Sequence, residues 1–141
     1  FGDGFDADFC TGLVDKGYFY KTGNDGIDFS TSVITIQNTN IEEAGDKGIS
    51  IGEQGTSTII NTTIDGAVIG IASKDLSKVT VVSTTLKNCQ KGFAAYQKKP
   101  EYGGGFIYVQ AYKAEQVKSI YEILPGSYLK LLDKEIKGDN L

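Results

Sequence analysis

Acidic side chains near the start of the chain are the residues best suited to chemistry. Asp6 and Asp8 alternate with apolar or small residues, and Asp28 follows Asp6 by 22 residues. In a solenoid with a 22-residue turn, Asp28 would lie above Asp6 at the strand spacing of about 4.8 Å. Neighbouring carboxylates repel each other, and Ca²⁺ takes carboxylate oxygens readily. The pattern predicts a candidate calcium site at Asp6, Asp8 and Asp28, with solvated carboxylates as the alternative.

A second set of residues suits carbohydrate binding. Lys74 and Tyr96 are also 22 residues apart and would share an outward column, and Tyr102 follows in a nearby glycine-rich loop. Aromatic faces stack on sugar rings, and lysine pairs with acidic sugars. We therefore predict carbohydrate contacts from Lys74, Tyr96 and Tyr102. The alternative is that the tyrosines only pack the loop onto the solenoid.

The amino-acid composition argues against several kinds of functional site and binding partner. All 14 basic residues are lysines, and the chain has no histidine. It therefore lacks the bidentate fork of arginine for phosphate, and it lacks an imidazole for base catalysis near neutral pH or for metal binding. A net charge of −4 argues against nucleic acid as a partner. No apolar run is long enough to cross a membrane.

The elements that must position these residues follow from a glycine repeat. Each glycine precedes a short segment in which apolar residues alternate with polar or small ones, which is typical of a strand with one buried face. We expect the glycines to adopt positive φ where the chain turns into each strand. The repeat has a period of 22 residues and comprises Gly4, Gly26, Gly48, Gly70 and Gly92.

A second strand, rich in β-branched residues, follows in each repeat and ends at a polar corner. Asn38 and Asn61 occupy equivalent corners, where their amides would bond between rungs. Short strands, polar corners and a 22-residue turn are typical of a parallel β-helix. The predicted fold is all-β: a right-handed, single-stranded parallel β-helix of five to six rungs with a C-terminal β cap.

Rung boundaries and uncovered ends can also be predicted. We expect the rungs to occupy residues 1–112, with an inserted loop at 98–105, and a terminal rung and cap to occupy 113–141. A cap is expected because an open solenoid end exposes strand edges and core. The first rung has no such cap, so we expect a preceding domain or another copy of the chain to cover it.

Three stretches resemble a known type of module: Gly45–Glu53, Gly70–Asp75 and Ala95–Lys99. They are similar to the right-handed β-helix repeats of large secreted bacterial proteins, some of which carry a spore-coat-H-type kinase domain. The resemblance covers about residues 3 to 110. It implies an extracellular or cell-surface location, which composition alone does not indicate, and it implies no particular activity.

Three functions remain open at this stage. The first is a non-catalytic extracellular scaffold with a possible glycan-recognition surface. The second is a polysaccharide lyase or epimerase using Asp6, Asp8, Asp28 and Lys74, although Lys74 lies three rungs from Asp8, about 14 Å away. The third is a structural unit that stacks end to end. A threonine column at Thr35, Thr58 and Thr80 adds a small ice-binding face as a lesser alternative.

Overall fold

The computed structural model describes residues 2–139, and this part of the chain is built from strands alone. No helix within this range could cross a membrane. The strands are β1 (Phe5–Asp8), β2 (Thr11–Asp15), β3 (Tyr18–Tyr20), β4 (Ile27–Ser30), β5 (Val33–Gln37), β6 (Asn40–Glu42), β7 (Lys47–Gly52), β8 (Thr56–Ile60), β9 (Thr62–Lys74), β10 (Lys78–Val81), β11 (Thr84–Tyr96), β12 (Phe106–Val109), β13 (Tyr112–Ile123), β14 (Tyr128–Leu131) and β15 (Lys134–Lys137).

These strands coil into about six turns of a parallel β-helix with three faces, which confirms the predicted fold. Face one consists of β1, β4, β7 and the C-terminal halves of β9, β11 and β13. Face two consists of β2, β5, β8, β10, β12 and β14. Face three consists of β3, β6 and the N-terminal halves of the same three long strands. Because β9, β11 and β13 continue around a corner, faces three and one belong to one sheet.

The 22-residue period sets the register of face one. Phe5 pairs with Ile27, and Ile27 pairs with Ile49. Inward positions therefore repeat in columns, and isoleucine fills most of them. Branched aliphatic side chains suit these positions because they pack well against like neighbours on a pleated surface. The result is one continuous core along the solenoid axis.

Close packing explains the glycine column, and the expectation of positive φ is wrong. Positive φ occurs at Gly66 and Gly126 and not at the repeating glycines. A Cβ built at Gly48 would lie 2.6 Å from Ile64 Cγ2 and 2.7 Å from the carbonyl oxygen of Gly70. The backbone of each rung thus approaches an aliphatic side chain and the next glycine too closely for any side chain.

Polar corners join the rungs through side chains. Asn61 Nδ2 donates to Asn38 Oδ1 at 2.8 Å, and Asn38 Nδ2 donates to Asp15 Oδ1 at 3.1 Å. Both asparagines have positive φ, at 50° and 43° for Asn38 and Asn61. Asparagine is among the few residues other than glycine that adopt this conformation readily. The two asparagines therefore have two roles: they adopt the turn conformation, and their side chains bond neighbouring rungs.

A six-residue insertion interrupts the fifth rung between β11 and β12. Lys78 pairs with Phe106, a spacing of 28 residues in place of 22. The Gln97 side-chain amide donates to the carbonyl oxygens of Lys99, Pro100 and Tyr102, and Asp75 Oδ1 accepts from two backbone N–H groups of the loop. These bonds hold residues 97–105 against the corner that follows Lys74.

The two ends of the solenoid differ. At the C-terminal end, β15 pairs antiparallel with β14 and closes that sheet. At the N-terminal end, β1, β2 and β3 each have a neighbour on one side only within the described residues. Phe9 is 81% exposed and Leu13 is 58% exposed there. An open hollow of about 530 Å³ lies against this first rung.

Candidate functional site

Two outward columns of face one bring the predicted site residues into one region. Asp6 pairs with Asp28, and Asp28 pairs with Ser50 on the next rung. The neighbouring column contains Lys74, which pairs with Tyr96. We call Asp28, Ser50, Lys74 and Tyr96 the face-one cluster.

Lys74 is the most unusual residue of this cluster, because its side chain is only 6% exposed. Its ammonium forms no ion pair or hydrogen bond with any of the residues 2–139. Its backbone N–H donates to Ser77 Oγ at 2.9 Å, which fixes the start of the side chain. Burial lowers the pKa of the ammonium, although attraction to Asp28 opposes the shift.

The lysine side chain lies against Gly52, which occupies the same column on the rung below. A Cβ at Gly52 would lie 3.4 Å from Lys74 Cε and 3.8 Å from Lys74 Nζ. The same position lies 3.8 Å from Ser30 Oγ, on the rung below. The ammonium is therefore much closer to Asp28 than the backbone separation of the rungs implies.

Asp28 and Ser50 each bury a polar atom without a hydrogen bond. Asp28 Oδ1 and Ser50 Oγ have no partner among the described residues, and Ser50 is fully buried. Burial raises the pKa of Asp28, while the Lys74 ammonium acts in the opposite direction. A buried polar group without a partner destabilises the folded protein by about 1–3 kcal/mol. Asp28 Oδ1 and Ser50 Oγ are thus polar atoms that the protein leaves unsatisfied, and a ligand would reach them only by displacing the groups that cover them.

Tyr96 completes the cluster from the next rung. Its ring is half-buried, and burial raises the pKa of the phenol while the Lys47 ammonium nearby lowers it. Lys47 Nζ also forms an ion pair with Asp46 Oδ2 at 2.7 Å and lies 3.9 Å from Asp25 Oδ1. One edge of the tyrosine ring is thus close to charged groups, and part of the ring remains accessible.

Carboxylates from three positions meet at the N-terminal side of the cluster. Oxygen atoms of Asp3, Asp25 and Asp28 lie within 4.8 Å of one another. Asp3 Oδ1 already accepts from the backbone N–H of Asp25, and Asp25 Oδ1 accepts from the backbone N–H of Lys47. Burial raises the pKa of Asp25 as well. Positive charge for this group comes from Lys47 and Lys74.

The predicted calcium ligands are therefore only partly grouped. Asp28 belongs to the carboxylate group, and Asp6 lies directly below it in register. Asp8 pairs with Ser30, in the column next to Asp28. Both Asp6 and Asp8 are exposed. The pKa of Asp6 is raised by burial, by Asp8 and by Asp3. The calcium site remains a prediction.

Tyr102 lies within the inserted loop and is partly buried. Its backbone N–H donates to the carbonyl oxygen of Lys99, and Lys99 Nζ pairs with Glu53. The loop is thereby tied to the preceding corner two rungs away. The carbohydrate-binding role of Lys74, Tyr96 and Tyr102 stays a prediction.

The sequence analysis did not identify four residues of this region: Asp3, Asp25, Lys47 and Ser50. A signal for the first three was present, since they precede Gly4, Gly26 and Gly48 and thus share the glycine period. Ser50 had a weaker signal, because a serine in an outward strand position is ordinary. The clustering depends on how far side chains extend between rungs, and a period cannot show this.

Chemically, the face-one cluster offers a cation, a carboxylate, a hydroxyl and an aromatic ring at one surface. A sugar hydroxyl could accept a hydrogen bond from Lys74 and donate one to Asp28 or Ser50. A lysine whose pKa is lowered could also act as a base.

Comparison with protein families agrees with this architecture. The family described as "right handed beta helix region" matches residues 2–109. The chain belongs to the right-handed β-helix family. The match ends at Val109, the last residue of β12, so it covers four complete turns and the first two faces of the fifth. Among curated proteins and solved structures, the comparison found no match. The family establishes the β-helix module and leaves its biochemical role to be argued from the site.

Proposed function

We propose that this β-helix is a non-catalytic extracellular module that acts as a rigid scaffold and recognises glycans through the face-one cluster. The resemblance to repeats of secreted bacterial proteins supports the extracellular location and a parent protein of larger size. Continuous parallel pairing along the solenoid supports the scaffold role, because each rung is held by its neighbours.

One observation carries the glycan proposal: three polar atoms without partners lie in the same region. They are Lys74 Nζ, Asp28 Oδ1 and Ser50 Oγ, none of which has a hydrogen-bond or ion-pair partner among residues 2–139. Together they provide donors and acceptors, and a polyhydroxylated ligand provides both as well. The accessible part of the Tyr96 ring supplies an apolar surface for a sugar face. A neutral sugar fits better than an anionic one, because the carboxylates of Asp28, Asp25 and Asp3 would repel an anion.

Binding to neutral oligosaccharides tests the proposal. An array of neutral and acidic oligosaccharides would identify the preferred neutral sugar, and calorimetric titration would give its affinity. Lys74→Met keeps the length of the side chain and removes the ammonium, so we expect a loss of about tenfold or more. Lys118→Met, at an exposed lysine of β13, is the matched control. Equal affinity of Lys74→Met and the native chain would contradict the proposal, as would binding to no neutral sugar.

A second candidate, a polysaccharide lyase or epimerase, is favoured by the position of Lys74. Its buried ammonium has a lowered pKa and extends toward the predicted acidic residues. A neutral lysine could abstract the proton next to the carboxylate of a uronic acid, the step with which lyases and epimerases begin. The enzyme would then need Asp6, Asp8 or Asp28 to stabilise the substrate carboxylate through calcium.

Calcium titration separates this enzyme from the scaffold. A scaffold without a calcium-dependent reaction predicts no micromolar calcium binding by chelator-treated protein, since Lys47 and Lys74 offset part of the negative charge of Asp3, Asp25 and Asp28. Micromolar binding that is lost in the Asp6→Asn/Asp28→Asn variant would favour the enzyme. Unsaturated products released from a uronic-acid polymer by the native chain, and not by Lys74→Met, would then establish a lyase.

A further inference from the structure

Face two has a strip of aromatic and lysine side chains at its C-terminal end. Phe106 pairs with Lys78 on one side and with Tyr128 on the other. Tyr128 in turn pairs with Lys137 of β15. One column therefore runs Lys78, Phe106, Tyr128, Lys137, and its two lysines are about 14 Å apart across three strand spacings. Together with Tyr108, this column is called the face-two strip.

The three rings form a shallow binding surface. Ring centroids of Tyr108 and Tyr128 are 5.8 Å apart at an angle of 51°. Tyr128 donates a hydrogen bond of 2.7 Å to Glu135 Oε1, which orients its ring. An open hollow of about 490 Å³ is lined by Phe106, Tyr108, Tyr128 and Lys137, among others. All three rings are partly exposed.

Charge is distributed unusually on this face. Strands β5, β8, β10, β12 and β14 contain no aspartate or glutamate. The chain as a whole has 18 acidic and 14 basic residues. Lys78, Lys130 and Lys137 are exposed around the rings, with Glu135 as the carboxylate beside Tyr128. β2, at the N-terminal end of the face, contains Asp15. The C-terminal end of face two is therefore locally cationic in an acidic protein, which suits an anionic partner.

Hydroxyl groups extend the strip along the solenoid axis. Thr35 pairs with Thr58, Thr58 with Thr80, and Thr80 with Tyr108. An elongated ligand on the strip would therefore meet threonine hydroxyls as it continues toward the N-terminal end. The surface offers stacking, cations and hydrogen bonds in neighbouring columns.

We propose that the face-two strip binds an anionic polysaccharide, such as a chain of uronic acids, lying along the solenoid axis. Rings of Phe106, Tyr108 and Tyr128 stack on sugar faces, and Lys78 and Lys137 pair with carboxylates on either side. Threonine hydroxyls bond to sugar hydroxyls farther along. This surface lies on a different face from Lys74, and its function does not depend on the face-one cluster.

Titration with oligogalacturonate, with a neutral galactose oligomer of equal length as the reference, tests this proposal. We expect oligogalacturonate to bind and the neutral oligomer to bind much more weakly. Lys78→Gln/Lys137→Gln should weaken binding about fivefold at low salt. Tyr108→Ala should weaken it about tenfold, with little dependence on salt. Circular dichroism establishes that each variant is folded.

Two matched variants decide where the polymer binds. Lys113→Gln/Lys118→Gln changes the net charge equally but lies on β13, at exposed positions away from the strip, and it should leave binding unchanged. Equal losses in both double variants would overturn the proposal, since binding would then reflect total charge. Neutral-oligomer binding as tight as that of oligogalacturonate and equally weakened by Tyr108→Ala, no binding of oligogalacturonate, or displacement of it by single-stranded DNA of equal charge would also overturn it.

Discussion

Lys74 and Asp28 carry opposite charges into a region from which most water is excluded. Burial lowers the pKa of the lysine and raises that of the aspartate, so each ionised form is destabilised by its surroundings. The electrostatic attraction between the two side chains offsets part of this destabilisation. Buried pairs of this kind often contribute little net stability, so function is a more direct explanation for their presence.

A double-mutant cycle tests this balance. Asp28→Asn and Lys74→Met should each change the free energy of unfolding by no more than about 1 kcal/mol, because each removes the cost of burying one charge together with the attraction to the other. The double variant should be more stable than the sum of the two single effects predicts, because the attraction is lost only once. Urea denaturation at neutral pH measures all four proteins. Additive losses in the double variant would show that the two side chains do not interact.

Stability should also depend on pH through Asp28. Its folded pKa lies above the ordinary value of 3.8, so the folded state binds the proton more tightly than the unfolded state does. The stability that this residue contributes is therefore present below pH 3.8 and lost as the pH rises through the raised pKa. Asp28→Asn should remove the fall in stability that this carboxyl causes as the pH rises. The fall caused by Asp25, whose pKa is also raised, should remain. Urea midpoints between pH 3 and pH 7 would measure the difference, and identical profiles would contradict the expectation.

At the scale of the strands, the repeat determines which residues are neighbours. Asp6 and Asp28, Thr35 and Thr58, and Lys74 and Tyr96 pair as the 22-residue period predicts. Parallel pairing with a constant turn length leaves few alternative registers, and a shift of one residue would expose the isoleucine columns. Spacing and alternation alone therefore predicted the fold.

The sequence alone could not predict how far side chains extend from one rung to the next. The path of the Lys74 side chain against Gly52 and the approach of Asp3 to Asp28 are both set by side-chain conformation, which the repeat does not specify. The role of the glycines was also misjudged, because a period shows that a small residue is needed without showing whether φ or space requires it. Candidate sites on a solenoid thus need coordinates, even where the register is evident.

Alanine at the glycine column should destabilise the rungs. Gly48→Ala places a methyl group against Ile64 Cγ2 and the carbonyl oxygen of Gly70, so we expect a loss of about 1–3 kcal/mol. Gly12→Ala is the control, because nothing lies within 4 Å of its Cβ position. That substitution should be neutral or slightly stabilising. Thermal unfolding compares the two, and similar midpoints would contradict the packing explanation.

Across the whole molecule, the first rung is the least protected part. Its strands have free edges, and Phe5, Phe9 and Leu13 expose large apolar surfaces. Unpaired edges with exposed apolar side chains favour association with another strand. We propose that another copy of the chain can cover this end, which corresponds to a structural unit that stacks end to end.

Sedimentation equilibrium tests this proposal. If copies stack through the first rung, the apparent mass should rise with concentration, and Leu13→Glu should reduce it to that of the monomer. Leu132→Glu, at an exposed leucine near the opposite end, should have a smaller effect if the contact joins two first rungs. A monomer at all concentrations would contradict stacking and favour coverage by a preceding domain.

The most direct test of glycan recognition is a crystal structure of the chain soaked with the neutral oligosaccharide that binds best. We expect a sugar hydroxyl within hydrogen-bond distance of Lys74 Nζ and of Asp28 Oδ1 or Ser50 Oγ, with a sugar face against Tyr96. Density for the sugar elsewhere, with only water beside Lys74 at saturating concentration, would contradict the proposed site.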